Sequence, residues 1–110
     1  MQIGSETYSA KLEDNETVKA WLETLPAEYE MSELNGNEKY FYLSTSLPAN
    51  AENPGTINKG DIMLYGSDCI VVFYKSFSTS YSYTKLGHIE NAENIDTAVG
   101  NGSVTVKFGK

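Results

Sequence analysis

A chain of 110 residues has room for one domain, 1–110, with a single core, and at this size packing alone is enough to fold it. Fifteen acids stand against eight bases, every base is lysine, and the net charge is −7; without arginine's bidentate fork or a basic face, nucleic-acid binding and attraction to anionic membranes are excluded. The lone cysteine, Cys69, excludes an intrachain disulfide and favours a reducing, cytoplasmic setting, while no apolar run approaches the roughly 18 residues of a membrane span and Met1–Ala10 is too polar for a signal core.

In chain order, Thr7–Leu12 alternates and predicts a strand. A helix follows, capped by Asp14 or Asn15 with Glu16 in its first turn. Val18, Trp21, Leu22 and Leu25 share its apolar face, and Pro26 stops it. The period then becomes two: Tyr29, Met31 and Glu33 line one side of a strand that reaches the hairpin signal Asn35-Gly36. Lys39–Leu43 returns, with Tyr40 and Tyr42 facing one way and Phe41 and Leu43 the other.

Ser44–Lys59 carries Pro48, Asn50, Asn53, Pro54 and Gly55 and predicts an irregular connection. Such length inside a compact domain is often functional. Ile62–Tyr65 and Cys69–Lys75 then form a hairpin around Gly66-Ser67-Asp68. Cys69–Tyr74 is continuously apolar, which predicts cover on both faces. Ser76–Thr84, rich in hydroxyls and aromatic rings, leads to a strand ending near Ile89. One or two helical turns over Ala92–Val99 close at Gly100, and a last strand places Val104, Val106 and Phe108 on one face. About eight strands with so little helix predict a mainly β fold. The expected form is a small closed or nearly closed antiparallel β-barrel with one N-terminal amphipathic helix and a short second helix.

The ordered blocks Leu34–Leu43, Pro54-Gly55, Gly60–Gly66 and Phe73–Gly87 resemble the bacterial cyclophilin-like domain family, over about Thr7–Glu90. The resemblance implies a cyclophilin-type barrel and no assigned activity. True cyclophilins are prolyl isomerases that use an arginine to stabilise the twisted amide, a barrier near 20 kcal/mol. This chain has no arginine, Lys39–Ser44 does not match the Phe-His-Arg motif, and no Gln-Gly-Gly-Asp follows. No catalytic residue carries over, and fold alone assigns no function.

Among other chemistries, Cys69 with His88 is the one thiol–imidazole combination, but a cysteine opening an apolar strand is ordinarily a buried, inert thiol. One histidine and one cysteine match no zinc spacing, and Glu13-Asp14-Glu16 and Glu28-Glu30-Glu33 match no calcium loop. No metal and no cofactor are expected.

The segment that exceeds this background carries Phe77, Tyr81 and Tyr83 among serines and threonines. Tyr40, Tyr42, Phe73 and His88 complete the candidate ligand-binding set. Such residues combine apolar area with adaptable hydrogen bonds, suited to a small molecule or peptide. The alternative is that the rings only close the barrel while the serines face water. Lys75, Lys85 and His88 would add positive charge to the patch or simply blunt a strand edge. Three functional readings follow: a noncatalytic binding module, an enzyme with weak isomerase or unassigned activity, and a protein-interaction domain.

Overall fold

The computed structural model describes residues 1–109. In chain order the elements are β1 (Gln2–Ile3), β2 (Glu6–Thr7), β3 (Ala10–Leu12), α1 (Glu16–Leu22), β4 (Ala27–Leu34), β5 (Glu38–Tyr42) and β6 (Thr56–Ile57). They continue with β7 (Asp61–Tyr65), β8 (Cys69–Phe73), β9 (Phe77–Ser78), β10 (Thr84–Ile89), α2 (Ile95–Val99) and β11 (Val104–Phe108). The fold is mainly β and antiparallel. A curled nine-stranded sheet runs β2-β1-β11-β4-β5-β8-β7-β10-β3, and β6 pairs separately with β9.

The expected barrel is not closed. β2 and β3 form the two edges of the sheet and do not pair with each other. The single strand expected over Thr7–Leu12 breaks at Tyr8-Ser9, where the chain crosses from one edge to the other. Of that stretch only Thr7, the end of β2, pairs with β1, while Ala10–Leu12 pairs with β10. The edges are joined by the chain rather than by a ladder.

α1 follows these three strands, and it ends at Leu22, three residues earlier than the apolar face suggested. Asn15 is the cap: its Oδ1 accepts from the Val18 amide at 2.8 Å, while its Nδ2 donates to the Lys85 carbonyl at 2.9 Å. One side chain thus both starts the helix and ties it to β10. Val18, Trp21 and Leu25 are buried against the inner face of the sheet. Trp21 meets Phe108 edge-on at 5.0 Å and donates from Nε1 to Tyr29 Oη at 3.0 Å, and Tyr29 stacks on Phe41 at 4.6 Å.

Asn35 and Gly36 both take positive φ, 56° and 68°, the left-handed pair that a tight hairpin between β4 and β5 requires. β8 is central and wholly buried, as its continuous apolar run predicts. Its alternate residues serve different clusters. Ile70 and Val72 face the main core, whereas Cys69, Val71 and Phe73 face a second cluster with Ile57, Met63 and Tyr83. The outer cover comes from the segment expected to be irregular, whose β6 packs Ile57 over the sheet.

Alternation also puts Lys39 on the core side of β5, opposite Val72, where its side chain is fully buried. Its ammonium meets Glu33 Oε1 at 3.0 Å and donates to the carbonyls of Gly100, at 3.0 Å, and Gly102. Three protons meet three acceptors, so the charge is satisfied. The Glu33 carboxylate also accepts from Tyr74 Oη and the Gly36 amide, both at 2.6 Å. Burial pushes Glu33 upward, but the bonds from Tyr74, Lys39 and Gly36 outweigh it and hold its pKa below the usual value. Tyr74, buried and bonded to that carboxylate, is pushed up to about 12.

Candidate functional site

Cross-strand register builds a groove on the outer face of the sheet. Tyr42 opposes Cys69, Tyr40 opposes Val71 and Glu38 opposes Phe73; across β8, Tyr65 opposes Cys69 and Met63 opposes Val71. Paired residues share a face, so Glu38, Tyr40 and Tyr42 make one wall, β8 the floor, and Tyr65 the start of the other wall. The 77–83 segment completes that wall. Its Tyr81 and Tyr83 meet Tyr65 at 6.1 and 5.6 Å between ring centroids. Tyr40 and Tyr42, neighbours on the β5 wall, stand edge-to-face at 5.8 Å. The cavity measures about 530 Å³ and is also lined by Asn35, Asn37 and the Ser78–Ser80 hydroxyl run. That is within the size range of small-ligand sites.

Of the residues singled out in the sequence, Tyr40, Tyr42, Phe77, Tyr81 and Tyr83 line this one groove. Phe73 does not. It is fully buried beneath it, touching Phe77 at 5.6 Å and Tyr83 at 5.5 Å, and positions those rings from behind. His88 lies elsewhere: its Nδ1 pairs with Asp61 Oδ1 at 2.9 Å, at the opposite end of β7 from Tyr65. Those ends are about 13 Å apart at roughly 3.3 Å per residue, so Cys69 and His88 form no dyad. Burial, with help from Asp68 and Glu38, pushes the Cys69 thiol up to about 11, the opposite of an activated nucleophile. Lys85 shares a different cleft with His88, and Lys75 a third with Glu33 and Tyr74. The basic rim suggested by Lys75, Lys85 and His88 is therefore not assembled at the aromatic groove.

Sequence reasoning missed Tyr65 and Glu38. Both were within reach of the period-two pattern: Glu38 precedes Tyr40 by two, and Tyr65 follows Met63 by two. Glu38 is the one charged side chain lining the groove among the described residues. Burial first, and the nearby Glu33 second, raise its pKa. Asn37 adds a buried Oδ1 with no hydrogen-bond partner among the described residues.

The described residues contain no cluster of three or more histidine, cysteine or acidic side chains placed to hold a metal ion. No helix among them is long and apolar enough to cross a membrane. No curated protein and no solved structure matches the chain. A sequence model of the cyclophilin-like family does match it, over residues 1–109, nearly the whole length. That match agrees with the curled antiparallel sheet and with the resemblance carried by the sequence blocks: the chain belongs to the cyclophilin-like family.

Proposed function

We propose that this protein is a noncatalytic binding module that takes a small molecule or a short peptide segment in the groove between Tyr40, Tyr42 and the 77–83 segment. One observation carries the reading. The large hydrophobic side chains left exposed among the described residues are Leu34, Tyr42, Tyr65 and Tyr81, and all four line this groove. Scattered exposed rings need no explanation, whereas their concentration in one concavity marks a contact surface. Hydroxyls on Ser78, Thr79 and Ser80 supply polar anchors around the apolar floor. A noncatalytic role is the reading the chemistry favours. The chain offers no guanidinium to stabilise a twisted prolyl amide, and the groove's thiol is held protonated.

The test is a panel of small aromatic fragments followed by amide chemical shifts. Binders should converge on residues 40–42, 65 and 77–83. Tyr81→Ala should abolish their thermal stabilisation without altering the unliganded melt, because Tyr81 is 62% exposed. Shifts scattered over the surface, or fragments gathering at the His88 cleft, would reject this reading.

A further inference from the structure

Resting on that reading of the groove, we infer that its ligand is an organic cation, an alkylated ammonium held against tyrosine faces with its charge toward Glu38. Three features converge on this. The lining carries five tyrosines, Tyr40, Tyr42, Tyr65, Tyr81 and Tyr83, and, among the described residues, no lysine or histidine. Tyrosine faces attract a cation within about 6 Å of the ring centroid, most strongly where water is displaced.

Glu38 is partly buried in this lining. No lysine pairs with it and no group donates a hydrogen bond to its carboxylate among the described residues; Lys39, the adjacent cation, points to the opposite face and is spent on Glu33, Gly100 and Gly102. A carboxylate in that position carries a desolvation cost that a bound cation would offset. Its influence reaches through the site: behind burial, the larger cause, the charge of Glu38 helps to push both Cys69 (after Asp68) and Tyr83 upward. Finally, the net charge of −7 steers cations toward the protein and anions away. Asn37, with an unpartnered Oδ1 in the same lining, adds another acceptor and no positive charge.

Three probes of similar shape and different charge test this: benzyltrimethylammonium, benzyl alcohol and benzoate, each titrated into the protein and followed by tyrosine and backbone shifts. The cation should saturate the groove signals, with benzyl alcohol binding at least about tenfold more weakly and benzoate more weakly still. Glu38→Gln should bring the cation's affinity down toward that of benzyl alcohol. The charge series on the unaltered protein decides the matter even if that variant folds poorly. Equal or tighter groove binding by benzyl alcohol or benzoate, or a cation preference that survives in Glu38→Gln, would overturn the charge selection and leave the groove standing. If no probe of any charge moves the groove signals, both readings fall.

Discussion

Replacing Lys39 by methionine removes a charge while keeping a chain of similar volume and flexibility, so packing is nearly conserved. What is lost are three contacts of a fully buried ammonium: Glu33 at 3.0 Å, the Gly100 carbonyl at 3.0 Å, and the Gly102 carbonyl. Hydrogen bonds to a charged group each contribute roughly 1.5–3 kcal/mol. Against that sum stands the desolvation of the ammonium, which the variant no longer bears. Glu33 is 26% exposed and the two glycines lie at the surface, so water reclaims part of what they lose. The balance is a loss of about 2–4 kcal/mol, read as a lower urea midpoint with an unchanged slope.

The pH dependence gives a second signature. Glu33 has a folded pKa below its unfolded value. Its contribution is therefore complete above the unfolded value and disappears as pH falls through the folded one. The cost of Lys39→Met should shrink in acid over that window, and a double-mutant cycle with Glu33→Gln should show coupling of about 1 kcal/mol or more. A variant as stable as the parent at neutral pH, or a cycle with no coupling, would show that the buried charge merely breaks even. The network would then not be what ties the β4–β5 hairpin to the turn after α2.

Gly87→Ala would place a Cβ 2.5 Å from the Lys11 carbonyl and 2.9 Å from Leu12 Cδ2. A loss of about 1–3 kcal/mol is expected, with faster hydrogen exchange at the Glu13 amide, which bonds the Leu86 carbonyl. Tyr29→Phe leaves the buried Trp21 Nε1–H without its partner and should cost about 1–3 kcal/mol in a denaturant melt. Cys69, with its thiol pushed up to about 11, should react with iodoacetamide at pH 8 about two orders of magnitude more slowly than free cysteine, and fully once unfolded. Tyr42→Thr combined with Tyr81→Ser should change stability by no more than about 0.5 kcal/mol per site. A loss of several kcal/mol would mean the exposed rings hold the sheet together rather than await a ligand.

Elements governed by local period were legible in the sequence. The Cys69–Tyr74 run announced a strand covered on both faces, Asn35-Gly36 announced its turn, and the Tyr40/Tyr42 against Phe41/Leu43 alternation assigned those side chains to opposite faces. The same alternation places Lys39 beside Phe41, but a lysine in a core position is legible only once its acceptors are known. Two of the three, the Gly100 and Gly102 carbonyls, lie 61 and 63 residues away. β6 and β9 have two residues each, too few for any period to register. Proximity in sequence to Tyr81 and Tyr83 places His88 with the aromatic patch. β10 instead runs antiparallel to β7 and carries His88 to the Asp61 end, away from Tyr65. The open edge escaped for a related reason: whether β2 and β3 pair is a property of the completed curl.

The groove follows from a mismatch between β8 and its outer cover. β8 offers Cys69, Val71 and Phe73 along one face, but the β6–β9 pair is only two residues long. Ile57 and Phe77 cover the Phe73 end, and the cover gives out toward Cys69. There the flanking strands present Tyr42 and Tyr65, 60% and 45% exposed, rather than the small polar residues that would end an apolar face quietly. Tyrosine holds apolar area at the surface because its hydroxyl stays hydrated, so the short cover and the ring-rich rim together keep a concavity open that a longer β6–β9 pair would fill. The same geometry leaves Glu38 in the lining with no cation of its own among the described residues, and the proposed preference for a cation over a neutral ligand rests on that charge.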